Sequence, residues 1–262
     1  MQPLLRTRVR AAVGAAATVL VLPSLASCGG SGAAPAAPGP SIGQRMDAPL
    51  PAAVAHTVLV SSTGHRFDIT QLLGTTVVIS DMMTLCQETC PLDTADIVAA
   101  ARAAAKAGVG RKITFLSITI DPARDTRTRL AAYRAMYRPA PKDWVLATAA
   151  PAALRRFWAA LGTYVHRVSN QPPAPRDWLT HKPLTYDLTH SDEVYFVDSQ
   201  GHERFLLEGA PHVTGNAPIP DRLRRFMDAI GRKNLRHSHP AAWTLPQELQ
   251  VLSWLSGLNI GT

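Results

Sequence analysis

The sequence predicts an α/β domain, with a mixed central sheet flanked by helices. Three observations carry this. Residues 75–80 and 113–120 are β-branched, apolar runs suited to buried central strands. Each is followed by a stretch of helical composition, the alternation that sets strands parallel through crossovers. Glycine-turned hairpins at either end extend the sheet with antiparallel strands.

Taken in order, residues 57–62 and 65–69 flank Thr63-Gly64 and predict the N-terminal hairpin. The strand at 75–80 runs straight into the segment Thr84-Leu-Cys86-Gln-Glu-Thr-Cys90-Pro91. Residues 92–106 are alanine-rich and helical, with a stop at Gly108. The strand at 113–120 ends at Asp121-Pro122, and helical composition returns over 126–137. A short strand at 145–147 and a helix over 151–161 follow, then a proline-rich insertion at 169–186 that reads as a loop. Residues 193–198 and 204–207 flank the Ser199-Gln200-Gly201 turn as a second hairpin. A helix over 219–230 closes the domain between Pro218 and Gly231. The tail, 233–262, carries a short helix over 247–255 that packs back on the domain.

The N-terminus reads as an address. Arg6, Arg8 and Arg10 precede an uncharged apolar run from Ala11 to Leu22, broken by Pro23. That run is too short to span a bilayer, which takes ~20 residues, and suits the core of a signal peptide. Leu25-Ala26-Ser27-Cys28 resembles the lipobox of bacterial lipoproteins, in which the cysteine becomes the lipidated N-terminus. An ordinary signal peptide with a chance cysteine is the alternative. Residues 29–40, nearly all Gly, Ala, Pro and Ser, suit a flexible tether. The expected organisation is therefore a signal peptide over 1–27, a lipidated Cys28 with its tether over 28–45, a domain over 46–232 and an extension over 233–262. This places the protein on the extracytoplasmic face of a membrane, anchored by lipid.

Charge excludes one class of partner. The formal net charge is +8, and without the three leader arginines 24 basic residues face 19 acidic ones, a net +5. Those charges are scattered, whereas nucleic-acid binding needs a clustered basic face, so no nucleic-acid partner is expected.

With Cys28 assigned to lipid, the domain holds only Cys86 and Cys90, too few for a disulfide scaffold. The loop between them is too small to stabilise much by chain entropy, so chemistry is the better reading than a staple. A thiol beside a helix N-terminus is favoured as thiolate. Two soft thiolates suit Cu(I), and a trigonal site needs one more ligand, most naturally an imidazole. His190, just before the strand at 193–198, is the candidate. Met82 and Met83 carry thioethers beside the thiols, yet a methionine ending a core strand usually packs. His181 lies nearby in the insertion, and His237 and His239 lie in the tail; neither is favoured as a ligand.

Three segments, in this order, carry a resemblance: Cys86-x-x-x-Cys90-Pro91, Ser117-Ile-Thr-Ile-Asp121-Pro-Ala-Arg-Asp125-Thr, and Thr189-His190-Ser191 before a Tyr-Phe-Val-Asp strand. Together they resemble the Sco/SenC family over roughly residues 50–230. The resemblance implies a thioredoxin-like fold and a copper site made by Cys86, Cys90 and His190, holding Cu(I) or Cu(II). It makes Asp121 a candidate to steer or neutralise that site from outside the ligand set. It implies a role in maturing the binuclear copper centre of a respiratory cytochrome oxidase, whose copper-site subunit would be the partner. Copper donation is the first reading, with accessible ligands that a partner's thiols can reach. A thiol–disulfide oxidoreductase that reduces the partner's cysteines, with Cys86 attacking, is the alternative. The chain departs from the family pattern at Gln87, where proline is common, and at Asp81-Met82, where an aromatic is common.

Overall fold

The computed structural model describes residues 35–213, 217–236 and 242–261; the leader, Cys28, His237 and His239 lie outside the described residues. β1 (Gln44–Pro49), α1 (Ala52–Ala55), β2 (Leu59–Ser61) and β3 (Arg66–Phe67) lead to β4 (Thr76–Met82). Then come α2 (Cys90–Lys106), β5 (Ile113–Thr119), α3 (Arg127–Arg134), β6 (Trp144–Thr148) and α4 (Pro151–Leu161). A two-stranded ribbon, β7 (Val165–Ser169) with β8 (Tyr186–His190), precedes the hairpin of β9 (Glu193–Val197) and β10 (His202–Glu208). The chain continues through β11 (Pro211–His212), α5 (Asp221–Phe226), α6 (Ala229–Arg236), β12 (Trp243–Thr244) and α7 (Leu245–Ser256).

Eight strands form the main sheet in the order β1-β10-β9-β4-β5-β6-β2-β3. β4, β5 and β6 are parallel, and β9 joins β4 antiparallel. All seven residues of β4 are buried, which explains its unbroken β-branched run: both sheet faces are covered there. The serine hydroxyls buried here are paired. Ser80 and Ser117 share a hydroxyl hydrogen bond of 2.9 Å, and Trp144 Nε1 donates to Ser117 Oγ at 3.1 Å. α2 starts with Pro91 in its first turn, where no intrahelical N–H is lost, and buries small alanines that let it pack closely. The Thr126 side chain caps α3, and Gly162, at φ +85°, ends α4 in a left-handed turn.

Three expectations are corrected. β1 begins at Gln44, inside the stretch assigned to the tether; its exposed, non-alternating residues belong to the sheet only through pairing with β10. The helix expected over 219–230 is two, broken at Met227, whose ψ of 139° is extended. α6 then runs through residue 232, so the boundary drawn there cuts a helix. The insertion over 169–186 is a loop, as expected, framed by β7 and β8 and pinned to the core: Trp178 is buried, and Arg129 donates to Asp177 twice, at 2.9 and 2.5 Å.

The tail does pack back. Val251 and Leu252 are fully buried, and α7 lies against α2. This contact buries two acids, Asp96 of α2 and Glu248 of α7. Among the described residues, Asp96 Oδ2 and both Glu248 carboxyl oxygens lack a geometric hydrogen-bond partner. Burial pushes Asp96 up to about 7; burial and the neighbouring Asp96 carboxyl push Glu248 well above its usual range. Both are therefore protonated in the fold at pH values where the unfolded chain, with carboxyls near ~4, has lost those protons. The contribution of the pair is complete at low pH and falls as pH rises above ~4, the Asp96 share being lost through about 7 and the Glu248 share as that carboxyl in turn ionises. Glu248→Gln removes one of the two titrations, so its unfolding midpoint, followed by circular dichroism across that window, should fall less steeply with pH than that of the parent protein. Parallel slopes would contradict the assignment.

Candidate metal centre

The segment joining β4 to α2, residues 83–89, sits at the carboxyl end of the parallel strands, where α/β sheets collect ligands. It is held on two sides. The buried Asp125 carboxylate accepts from Thr84 N at 3.0 Å, from the Thr84 hydroxyl, and from Thr119 Oγ1 at 2.7 Å. Trp178 Nε1 donates to Thr84 O at 2.7 Å, so the insertion also braces this segment. On the other side Gln87 Nε2 donates to Phe226 O at 2.7 Å, and Asp228 N donates to Gln87 O at 3.3 Å. Gly231 lies directly against Gln87, and a Cβ there would collide with the Gln87 carbonyl.

Cys86 is in this segment and Cys90 is the first residue of α2; both are free thiols. His190 ends β8, and its Nε2 lies 3.5 Å from Cys90 Sγ. One ligand atom from each of Cys86, Cys90 and His190 lies within 4.8 Å of the others. The Nδ1 of His190 is 2.9 Å from the carbonyl oxygen of Ser191. A carbonyl can only accept, so Nδ1 carries the proton and Nε2 is the nitrogen turned to the sulfurs. Asp81 Oδ2 stands 2.8 Å from the same Nδ1 and Asp192 Oδ1 3.4 Å from it. The N–H points at Ser191, and Asp81 Oδ2 makes no in-line hydrogen bond, so the Asp81 contact is chiefly an ion pair. Asp81 is itself fixed, since its Oδ1 accepts from Glu193 N at 3.0 Å.

The charges follow from these contacts. Cys86 is held well below the usual thiol range by a hydrogen bond from Cys90 and by His190, against the opposing effect of burial. Cys90 is pushed well above it by donating to Cys86 and by burial. Burial alone would depress His190, but Asp81 and Cys86 outweigh it and push its pKa up to about 12. These shifts favour a Cys86 thiolate beside a His190 imidazolium, with Cys90 keeping its proton. Burial raises Asp192 to about 7 and Asp93 well above its usual range, so the surrounding carboxyls are partly neutral.

The structure brings Cys86, Cys90 and His190 together as their spacing suggests. It does not bring Asp121 to them: that carboxylate takes the Arg124 guanidinium and the Tyr186 hydroxyl, the latter at 2.9 Å. Its reach to the site is indirect, through the strand that carries His190. Met82 and Met83 are buried core residues, and His181 is exposed on the insertion. The expected accessibility is corrected, because Cys86 is only 6% exposed and Cys90 1%. Sequence reasoning missed Asp81, Asp125, Trp178 and Gly231. A hint was present for the first, since a carboxylate inside an otherwise apolar strand needs a buried partner.

Two substitutions test this geometry. Asp81→Asn removes the ion pair while keeping the shape, so the His190 pKa should drop from about 12 toward the ordinary imidazole value of ~6.5. An NMR titration of the ring carbons reads this directly. Gly231→Ala should displace the cysteine segment, costing about 1–3 kcal/mol in denaturant unfolding and changing the rate at which Cys86 reacts with a thiol reagent.

The sequence model of the SCO1/SenC family matches residues 49–227. Among solved structures, a candidate electron transfer protein of Aquifex aeolicus VF5 aligns with a TM-score of 0.50 at 20% identity, over 73% of this chain and 98% of its own. Bradyrhizobium japonicum ScoI, solved with copper bound, gives 0.47 at 20% identity over 71% and 99%. A SCO1/SenC family lipoprotein of Bacillus anthracis gives 0.47 at 21% over 64% and 89%. Nothing among curated proteins matches. The fold is thioredoxin-like, as expected, and no described helix is long and apolar enough to cross a membrane. With its family match covering most of the chain, this protein belongs to the SCO1/SenC family.

Proposed function

We propose that this chain is a lipid-tethered, extracytoplasmic copper chaperone that delivers its cargo to the binuclear copper site of a respiratory cytochrome oxidase. The observation that carries the reading is the convergence of two sulfurs and an imidazole nitrogen within 4.8 Å, with the nitrogen's tautomer already set. Two thiolates and one imidazole form a soft donor set suited to Cu(I). Carboxylates behind the imidazole orient it and raise its basicity, the usual arrangement behind metal-bound histidines.

Each residue has a stated task. Cys86, already a thiolate, is the first donor. Cys90 and His190 Nε2 must each shed a proton to complete the set, so copper binding releases protons and weakens as pH falls. Cys86 is also the less buried of the two thiols, so exchange with an acceptor's cysteine proceeds through it. Asp121, through Tyr186, steadies the strand that presents His190.

The thiol–disulfide oxidoreductase remains the second reading because of one feature: the two thiols are poised oppositely, Cys86 low and Cys90 high. That is the polarity of an attacking and a resolving thiol.

Copper titration of the reduced chain separates the two. One tight equivalent is expected, with sulfur-to-copper charge-transfer absorption that Cys86→Ser/Cys90→Ser abolishes and His190→Ala weakens by ~100-fold or more in affinity. No tight binding, with a readily reversible Cys86–Cys90 disulfide in its place, would make the reductase the answer.

A further inference from the structure

A groove of about 490 Å³ opens between α4, the start of the segment after β5, and the β7–β8 ribbon. Leu154 and Trp158, almost wholly buried, form its floor, and Leu188 and Val165 give it apolar surface. Its rim carries Arg155 from α4 and Arg167 from β7, both exposed. Among the described residues neither arginine has a carboxylate partner, whereas the groove's one acid, Asp121, is already taken by Arg124. The Tyr186 ring lies between the guanidiniums of Arg124 and Arg167, whose centres stand 3.7 and 3.8 Å from its centroid. The groove is thus apolar inside and positive at its edge.

Strand register ties this groove to the metal centre. Tyr186 and Leu188 line it, and side chains two apart on a strand share a face, so His190 continues the same row. Val165, which also lines the groove, pairs directly with His190 across the ribbon. Both the exposed strand β7 and the groove therefore end at the imidazole. Val165, at this end of the row, is 37% exposed, so the groove opens to solvent beside the buried imidazole.

We infer that this groove is the docking site for an extended acidic segment of the copper acceptor, seated with an apolar side chain against Leu188 and Val165 and carboxylates against Arg155 and Arg167. The inference rests on the chaperone reading and names the surface through which the acceptor reaches Cys86 and His190. Charge complementarity argues for the acid, since two unneutralised arginines at one rim reject a basic segment and speed encounter with an acidic one. Concavity argues for a protein segment over an anionic membrane, because a flat headgroup layer fills no cleft.

The test measures association of the metal-free full chain with the soluble copper-site domain of a cytochrome oxidase, at about 0.02 M and about 0.2 M salt. Association that weakens with salt is expected. Arg155→Glu/Arg167→Glu should weaken it ~10-fold or more at low salt while retaining one tight copper equivalent. Arg155→Gln/Arg167→Gln should fall between the two, and thermal unfolding of all three proteins checks their folding. Equal affinity of the charge-reversed and parent chains would overturn the inference, as would no association of the parent. Loss of binding only to phosphatidylglycerol vesicles, with the oxidase domain still bound, would overturn it in favour of a lipid surface. Association is read without metal, so failure of the copper titration would sink the chaperone reading while leaving this result standing.

Discussion

An imidazolium inside a nearly dry pocket needs a counter-charge close by, and here Asp81 stands 2.8 Å from His190 Nδ1. Both side chains are almost wholly buried, at 3% and 5% exposed, so water contributes little and the pair must satisfy itself. The consequences run outward. The Ser191 carbonyl fixes which ring nitrogen carries hydrogen, Asp81 stabilises that ring as a cation, and the cation stabilises the Cys86 thiolate. A carboxylate lost from the carboxyl end of β4 would leave a charged ring unpaired and a thiolate unsupported. The same strand that forms the axis of the sheet therefore also sets the electrostatics of the metal centre, and the buried fold and the chemistry share one residue.

Neighbouring contacts show how that centre is kept in place by elements distant in sequence. Asp125 lies 41 residues beyond Thr84 and Trp178 94 beyond it, yet both bond to that one residue. Gln87 is gripped from the α5–α6 break, 139 residues on. The break at Met227 has a reason in this setting. A continuous helix would keep the Phe226 carbonyl and the Asp228 N–H in its own ladder, whereas the extended Met227 frees both to bond Gln87. Gly231 then allows α6 to approach the cysteine segment to backbone distance.

These long separations also explain what could be read from the sequence. Buried β-branched runs, the thiol spacing at a strand-to-helix junction and the glycine-turned hairpins are local signals, and β4, β5, β9, β10 and α2 appear where they predict. His190 was legible because its place before a buried strand adds to a motif order. Asp81 was not, because its meaning lies wholly in a partner 109 residues away in the chain. β1 and the β7–β8 ribbon were missed for a related reason. β1 and β7 are almost wholly exposed and carry no clean alternation, and β8, though it alternates, is only five residues long, so pairing is what marks them as strands. Asp121 and Asp125 stand in one motif, and composition cannot say which carboxylate turns toward the cysteines. The structure gives that place to Asp125.

The contacts around residues 83–89 are unequal on the two sides of the segment. On one side Thr84 is bound through a buried carboxylate, and bonds to an ionised acceptor are roughly twice as strong as neutral ones. Burial raises Asp125 to about 6, which leaves it ionised at neutral pH and keeps that grip intact. On the other side Gln87 is held by neutral amide bonds, one of them long at 3.3 Å, together with the packing of Gly231. Cys86 stands between the two, one residue before Gln87. The weaker grip is thus beside the less buried thiol, while Asp125, Asp81 and His190 are held by the strands and the carboxylate bonds of the sheet.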